Sequence, residues 1–351
     1  MQAKPTAHFH LPGLFEFYDF YSVFLPIFYG KREWFYPWCD IASIYGAPNG
    51  CVWAGGRMEN SFLASGRAGS AAFENDVRKV KSLLARYGIS PRLTFSNSLL
   101  QKEHLTDKKC NALCALFSEN LDSRDPNDEV KDETKDGHSV PTGIIVHSDL
   151  LLDYLKSRFP QFYFVSSTTK VLTDFSDFKS EINHACFSFV VPDFRLNKDF
   201  SRLALLTQEQ KDKTEFLCNE CCDFSCTARS ACYQSVSREI LESCCDFADS
   251  DLPNTDCTNS ISATGATHLI CRAPGGSRGY KFSLAQKNPA FISLSDIQNT
   301  YLPMGFSNFK IEGRSLGSAL LLEFLLYYMT KTEYHIHVRE ELYLNNTLDL
   351  F

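Results

Sequence analysis

The chain has 351 residues, 44% of them apolar and 22% charged, the proportions of a globular protein with room for a large core. A net charge of −7 speaks against a nucleic-acid surface built on bulk positive charge. The longest apolar run, "SALLLEFLLYY", is too short to cross a bilayer, which needs about 20 residues, and the aromatic start lacks the marks of a secretory leader, so a cytoplasmic protein with no membrane span is expected.

Residues 1–38 read as an aromatic-rich extension. From there to residue 330, short β-branched and aromatic runs alternate with helical patterns. "DIASIYG" and "CVWAGGR" are the first expected strands, followed by a helix through "FENDVRKVKSLLARYG" with Val77, Val80, Leu83 and Leu84 on one face. "PRLTFSN", "TGIIVHSD", "FYFVSSTTK", "CFSFVVPD", "TEFLCNE", "THLICR" and "NFKIEGR" continue the strand series. Helices are expected through "DKKCNALCALFSEN", "LLLDYLKSRFP", "FSDFKSEINHA", "DFSRLALL" and "LGSALLLEFLLYYMT". Residues 121–141 and 243–266 are polar and turn-rich and read as insertions. The alternating "EYHIHVREELY" within residues 331–351 reads as an extra edge strand.

About eight strand-then-helix units argue for a parallel sheet closed into a TIM-like (β/α)8 barrel of the α/β class. No Gly-rich dinucleotide fingerprint follows an early strand, which weakens a Rossmann reading. In a barrel the chemistry gathers where strands run into the following loops. The expected strand ends carry Arg57, Asn97, His147, Asp149, Thr168, Lys170, Asp193, Asn219, Glu220 and Arg314. Helix capping accounts for part of that polarity. In "FKIEGR" the apolar Phe309 and Ile311 share one face, and Lys310 and Glu312 share the other. The charged face is expected inside the mouth, as a structural ion pair or as a proton-transfer pair. Lys310, Glu312 and Glu220 are the candidate catalytic groups. Arg57, Asn97, Asn219 and Arg314 are the candidate substrate contacts.

The chain holds 14 cysteines. In a reducing compartment, clustered thiols point to metal or redox chemistry more than to disulfides. The plain alternative is that they pack as small apolar residues. Iron–sulfur clusters and structural zinc both want four thiolates converging from loops. Cys222 and Cys226, spaced C-x3-C after a strand, can converge, and Cys271 ends the next expected strand. Cys218 is taken as the fourth ligand, with Cys221, Cys232, Cys51 or an insertion cysteine as alternatives. A cysteine nucleophile would instead need a basic neighbour, for which Arg229 is nearest in sequence.

"GFSNFKIEGRSLGS" (305–318), "LCNECCDFSCTARSACY" and "IASIYGAPNGCVWAGGR" resemble the collagenase-like peptidase superfamily, over roughly residues 41–314. The resemblance implies a TIM-like barrel. It also implies either peptidase activity or oxygen-independent hydroxylation of ubiquinone or RNA bases, some members of that branch holding a four-iron cluster through four cysteines. Iron–sulfur ranks ahead of zinc on this resemblance alone. The longer protease signature is missing here, which favours redox chemistry over peptide hydrolysis. A non-catalytic accessory role, paired with a paralogous barrel through the aromatic start, is the remaining reading. The substrate is not legible.

Overall fold

The computed structural model describes residues 6–56, 63–64, 66–119, 140–220, 222–245 and 281–344. Eight strands form one all-parallel sheet: β1 (Ala7–Pro12), β2 (Cys39–Gly46), β3 (Ser90–Phe95), β4 (Gly143–Val146), β5 (Tyr163–Ser166), β6 (Phe187–Val190), β7 (Glu215–Leu217) and β8 (Asn308–Lys310). Their order, β6-β5-β4-β3-β2-β1-β8-β7, makes a nearly closed barrel. A single parallel bridge, Val190 to Thr214, joins β6 to the start of β7. The helices in chain order are α1 (Tyr18–Gly30), α2 (Ala71–Arg86), α3 (Lys108–Ser118), α4 (Asp149–Arg158), α5 (Phe175–Ile182), α6 (Phe200–Leu203), α7 (Gln208–Lys213), α8 (Arg229–Cys245), α9 (Phe282–Ala285), α10 (Leu294–Asp296), α11 (Ser318–Met329) and α12 (His335–Leu344). None of the helices is long and apolar enough to cross a membrane, among the described residues.

The local chemistry accounts for the regular units. In α2, Ser70 caps the first turn by accepting from the Phe73 amide, Phe73, Val77, Val80 and Leu84 are buried, and Gly88 at φ +67° ends the run. Short strands such as "GIIV" are buried on both faces, as a sheet between helices requires. Outward residues such as Phe9, Ile44, Leu93, Val146, Phe164, Phe216 and Phe309 pack under the helices in one large core. Inward residues fill the barrel itself.

Several expectations differ from the fold. The supposed extension supplies β1, paired with β2 and β8, and α1, whose Phe20, Tyr21, Phe24 and Phe28 are core. The barrel therefore begins at Ala7, and these aromatics are not an exposed contact surface. "CVWAGGR" forms no strand through residue 56; it is a turn, with Trp53 buried and donating to the His104 carbonyl. "EYHIHVREELY" is helical, because Val338 and Leu342, four apart, both reach the core. "THLICR", much of both insertions and residues 345–351 lie outside the described residues.

The connection from β7 to β8 departs from the barrel pattern in a way that matters for the site. Residues 282–304 take the outer position, where Tyr301 packs on Phe216, Phe306 and Phe309. Helix α8 instead lies across the C-terminal mouth. Its Arg229 is tied to the ends of β6 and β7, and its Ser237 to the residues after β3.

Candidate functional site at the barrel mouth

Strand alternation turns His10, Ser43, Tyr45, Arg92, Tyr163, Glu215, Asn308 and Lys310 into the barrel interior. Glu215 is the hub. It accepts from Arg92 and from Lys310 (Nζ to Oε1, 3.1 Å), and its Oε2 lies 3.6 Å from His10 Nε2. His10 Nε2 faces Asn308 Oδ1 at 3.4 Å, so this nitrogen carries the proton and Nδ1 accepts from Ser43 Oγ at 2.8 Å. Arg92 also donates from Nε to the Tyr163 hydroxyl (2.8 Å) and lies over the Phe189 ring. Lys310 Nζ sits 4.1 Å from the centre of the Tyr45 ring, over which Arg314 also lies.

The charges follow from this packing. Burial, with Arg92 beside it, pushes His10 down to about 3, so it is neutral at ordinary pH. Burial alone would raise Glu215, but Arg92 and its other cationic neighbours hold the carboxyl well below the usual range. Burial pulls Lys310 down to about 8; Glu215 opposes that shift and Arg92 adds to it. Two cations, Arg92 and Lys310, therefore share one carboxylate.

Tyr45, Ile145, Val165, Val191 and Leu217 form a small apolar cluster beside these groups, Leu217 standing in register with Lys310, and the strand ends form the mouth. Arg229 of α8 is buried there against Glu220, with Asp193 Oδ2 at 3.6 Å from Nε, the Tyr233 hydroxyl at 2.8 Å and the Phe194 ring beneath. Arg195 pairs with Asp193 (2.8 Å) and grips the carbonyls of Phe224 and Cys226. His147 Nδ1 meets Thr169 Oγ1 at 2.9 Å, and burial, then Lys170, lowers its pKa.

The sequence-based candidates divide. Lys310 does face inward, but its partner is Glu215 and not Glu312. Two residues along a strand are about 6.6 Å, and Glu312 lies past the end of β8, where its amide donates to Asn219 Oδ1 (2.7 Å) and its carbonyl accepts from Asn219 Nδ2 (2.9 Å). Asn97 spends its amide on the carbonyls of Val52 and Ser237 and accepts from the Leu99 amide. Arg314 donates to the Gly55 carbonyl at 3.3 Å. Glu220 holds Arg229 and accepts from the Cys222 amide. Arg57 lies outside the described residues. His10, Arg92 and Glu215 were missed, and Arg229 was considered only as the basic neighbour of a cysteine nucleophile. A lone charge inside an apolar strand run, as in "SPRLTF" and "TEFL", was the available signal.

The 51–56 turn is pressed onto the end of β3. A Cβ on Gly55 would stand 2.4 Å from the Ser96 carbonyl carbon and oxygen, both backbone atoms that cannot swing aside. Gly55→Ala is expected to cost about 1–3 kcal/mol, read as a lowered urea midpoint; a wild-type midpoint would show that the turn can lift freely.

The thiols do not gather as expected. Cys218 lies on the outer face of β7, fully buried, with Sγ 3.6 Å from the Phe216 carbonyl, because alternation from the inward Leu217 turns it away from the mouth. Cys222 and Cys226 are neighbours at the mouth. Burial, then Glu220, pushes Cys222 up to about 12, and the Cys226 thiol beside it adds to the rise. A thiol raised in this way is the opposite of an activated nucleophile. Cys221 and Cys271 lie outside the described residues. Among the described residues no three His, Cys, Asp or Glu side chains stand together to hold a metal. The described mouth thus supplies two of the four thiolates a cluster needs.

Fold and mouth together define a parallel (β/α)8-type barrel with a charged interior and a helix across its C-terminal end. No family model, no curated protein and no solved structure matches the chain.

Proposed function

We propose that this chain is a barrel enzyme that acts at its C-terminal mouth on an anionic substrate, with Lys310 as its acid–base group. One observation carries the reading: Lys310 and Arg92 share the single carboxylate Glu215 inside the barrel. A surplus buried cation is costly unless a ligand offsets it. A lysine brought to about 8 exchanges its proton close to neutral pH, as a general acid–base requires. Arg314 lies above it toward the mouth, where barrel enzymes keep their chemistry. Glu312 and Glu220 stand at the ends of the neighbouring strands.

The test is binding of citrate and inorganic phosphate, followed as a shift in melting temperature. Stabilisation is expected at pH 6.5, to weaken by pH 9.5 as Lys310 loses its charge, and to vanish in Lys310→Met. Equal stabilisation of wild type and Lys310→Met would refute the reading. The same group makes folding pH-dependent. Its folded value, about 8, lies below the ordinary lysine value of 10.5. Between these two values the unfolded chain binds the extra proton, so stability rises with pH in that window and is flat below it. Lys310→Met is expected to remove that rise from the denaturation midpoints.

A second reading rests on Cys222 and Cys226 together with the resemblance: an iron–sulfur enzyme of the oxygen-independent hydroxylation type. The pair would supply two thiolates, and Cys221, Cys257 or Cys271 would have to supply others. Anaerobic purification is then expected to give a brown protein with about four iron per chain, lost in Cys222→Ser. A colourless, iron-free anaerobic preparation would end this reading.

A further inference from the structure

Beneath α8, polar atoms are left without hydrogen-bond partners among the described residues. They are Thr94 Oγ1 and Ser96 Oγ from the β3 side, Asp193 Oδ2 beyond β6, and Nε and Nη1 of Arg229. The four side chains are at most 3% exposed. More than about nine in ten buried polar groups are bonded in folded proteins, and leaving one unmet costs about 1–3 kcal/mol. Asp193 Oδ2 does pair electrostatically with Arg229 Nε, but at 3.6 Å this is too long for a hydrogen bond. Orphaned atoms gathered at one end of the barrel, under one helix, mark a place built for something else.

Their chemistry says what fits. Two guanidinium N–H groups call for an acceptor oxygen, best an anionic one. A carboxylate lone pair calls for an O–H donor, and the two hydroxyls accept or donate. Arg229 and Ser237, which meet the opposite walls, are eight residues apart on α8, about 12 Å. That bounds the ligand to a small molecule. The surplus cation inside the barrel favours a negative one.

We propose that the site between α8 and the ends of β3, β6 and β7 binds a small polyhydroxylated acid. Its acid group meets Arg229, one hydroxyl donates to Asp193, and others pair with Thr94 and Ser96. This rests on the reading above and names its substrate class. Helix α8 is then the wall that completes the site, and its polar ties to Asn97 and Ser98 are the contacts that part to admit the ligand.

Calorimetric titration with D-gluconate, glycerol 3-phosphate, sorbitol and hexanoate tests this. The first two separate a carboxylate from a phosphate; the third lacks an acid and the fourth lacks hydroxyls. Saturable binding of gluconate or glycerol phosphate is expected, at least tenfold tighter than either control. Thr94→Val and Ser96→Ala remove hydroxyls that have no partner among the described residues, so both are expected to fold with melting temperatures at or above that of the wild type. Each is expected to bind the preferred probe at least tenfold more weakly. Folded variants that bind as wild type does, or no saturable binding by any probe, would overturn the proposal. If Lys310→Met loses citrate binding while the Thr94 and Ser96 variants change nothing, the anionic-substrate reading stands and this site falls. If Lys310→Met keeps its citrate response while those variants lose gluconate, the site stands without that reading.

Discussion

Glu215→Gln should destabilise the protein by about 3–5 kcal/mol, the usual result of removing one partner from a buried charge group. The substitution preserves shape and takes away only the negative charge. Arg92 and Lys310 are then left in a desolvated interior with no carboxylate, and His10, already neutral, gives no relief. Urea denaturation near pH 7 reads the loss. Two further measurements separate this account from a simple packing defect. Adding Lys310→Met removes one of the orphaned cations, so the double variant should be more stable than Glu215→Gln alone, with a non-additive coupling. Raising the pH should also rescue Glu215→Gln, because Lys310 sheds its proton more readily once Glu215 no longer favours the charged form. A loss below about 1 kcal/mol, the range of an exposed pair, would mean that the interior is wetter than its burial implies.

Arg229→Met should have its largest effect locally. It leaves the Asp193 and Glu220 carboxylates at the mouth without the guanidinium between them. The cost, about 3 kcal/mol, falls on a helix held by a few polar ties and so should appear as detachment of α8. Hydrogen exchange across α8 is expected to speed up roughly a hundredfold, while amides of β2 to β5 keep their protection. Exchange that accelerates equally in helix and strands would instead make α8 part of the cooperative barrel. Exchange unchanged in both would mean that Ser237, bonded to Ser98, and Ile240, which is buried, suffice to hold it.

The fold was legible where the information is local. β2 to β6 announce themselves as short apolar runs, and α2 shows its cap, its stripe and its glycine stop. β1 was not legible, because its two partners are a strand some thirty residues on and the last strand of the sheet. The aromatic helix after it, interrupted by Pro26, masked it further. α8 carries no clear apolar stripe, and nothing local distinguishes a helix over the mouth from one on the barrel wall. The inward turn of Lys310 followed from alternation alone. Its partner did not, because Glu215 lies 95 residues earlier and only barrel closure brings them together. The cysteines misled for a related reason. Thiols close in sequence sit on opposite faces of the strand end, Cys218 outward and Cys222 at the mouth.

The lone bridge between β6 and β7 bears on how the chain comes together during synthesis. Among the described residues β7 is otherwise paired only with β8, so while the ribosome has yet to release residues 308–310, β7 has just that bridge to rest on. Arg92 and His10 emerge long before the carboxylate that neutralises the interior is pinned in place. A nascent chain halted before Asn308 is an open sheet with exposed strand edges, a form prone to pairing with its neighbours. Quality control on this protein therefore turns on residues 308–310, and truncation before them should yield aggregates and not a smaller barrel.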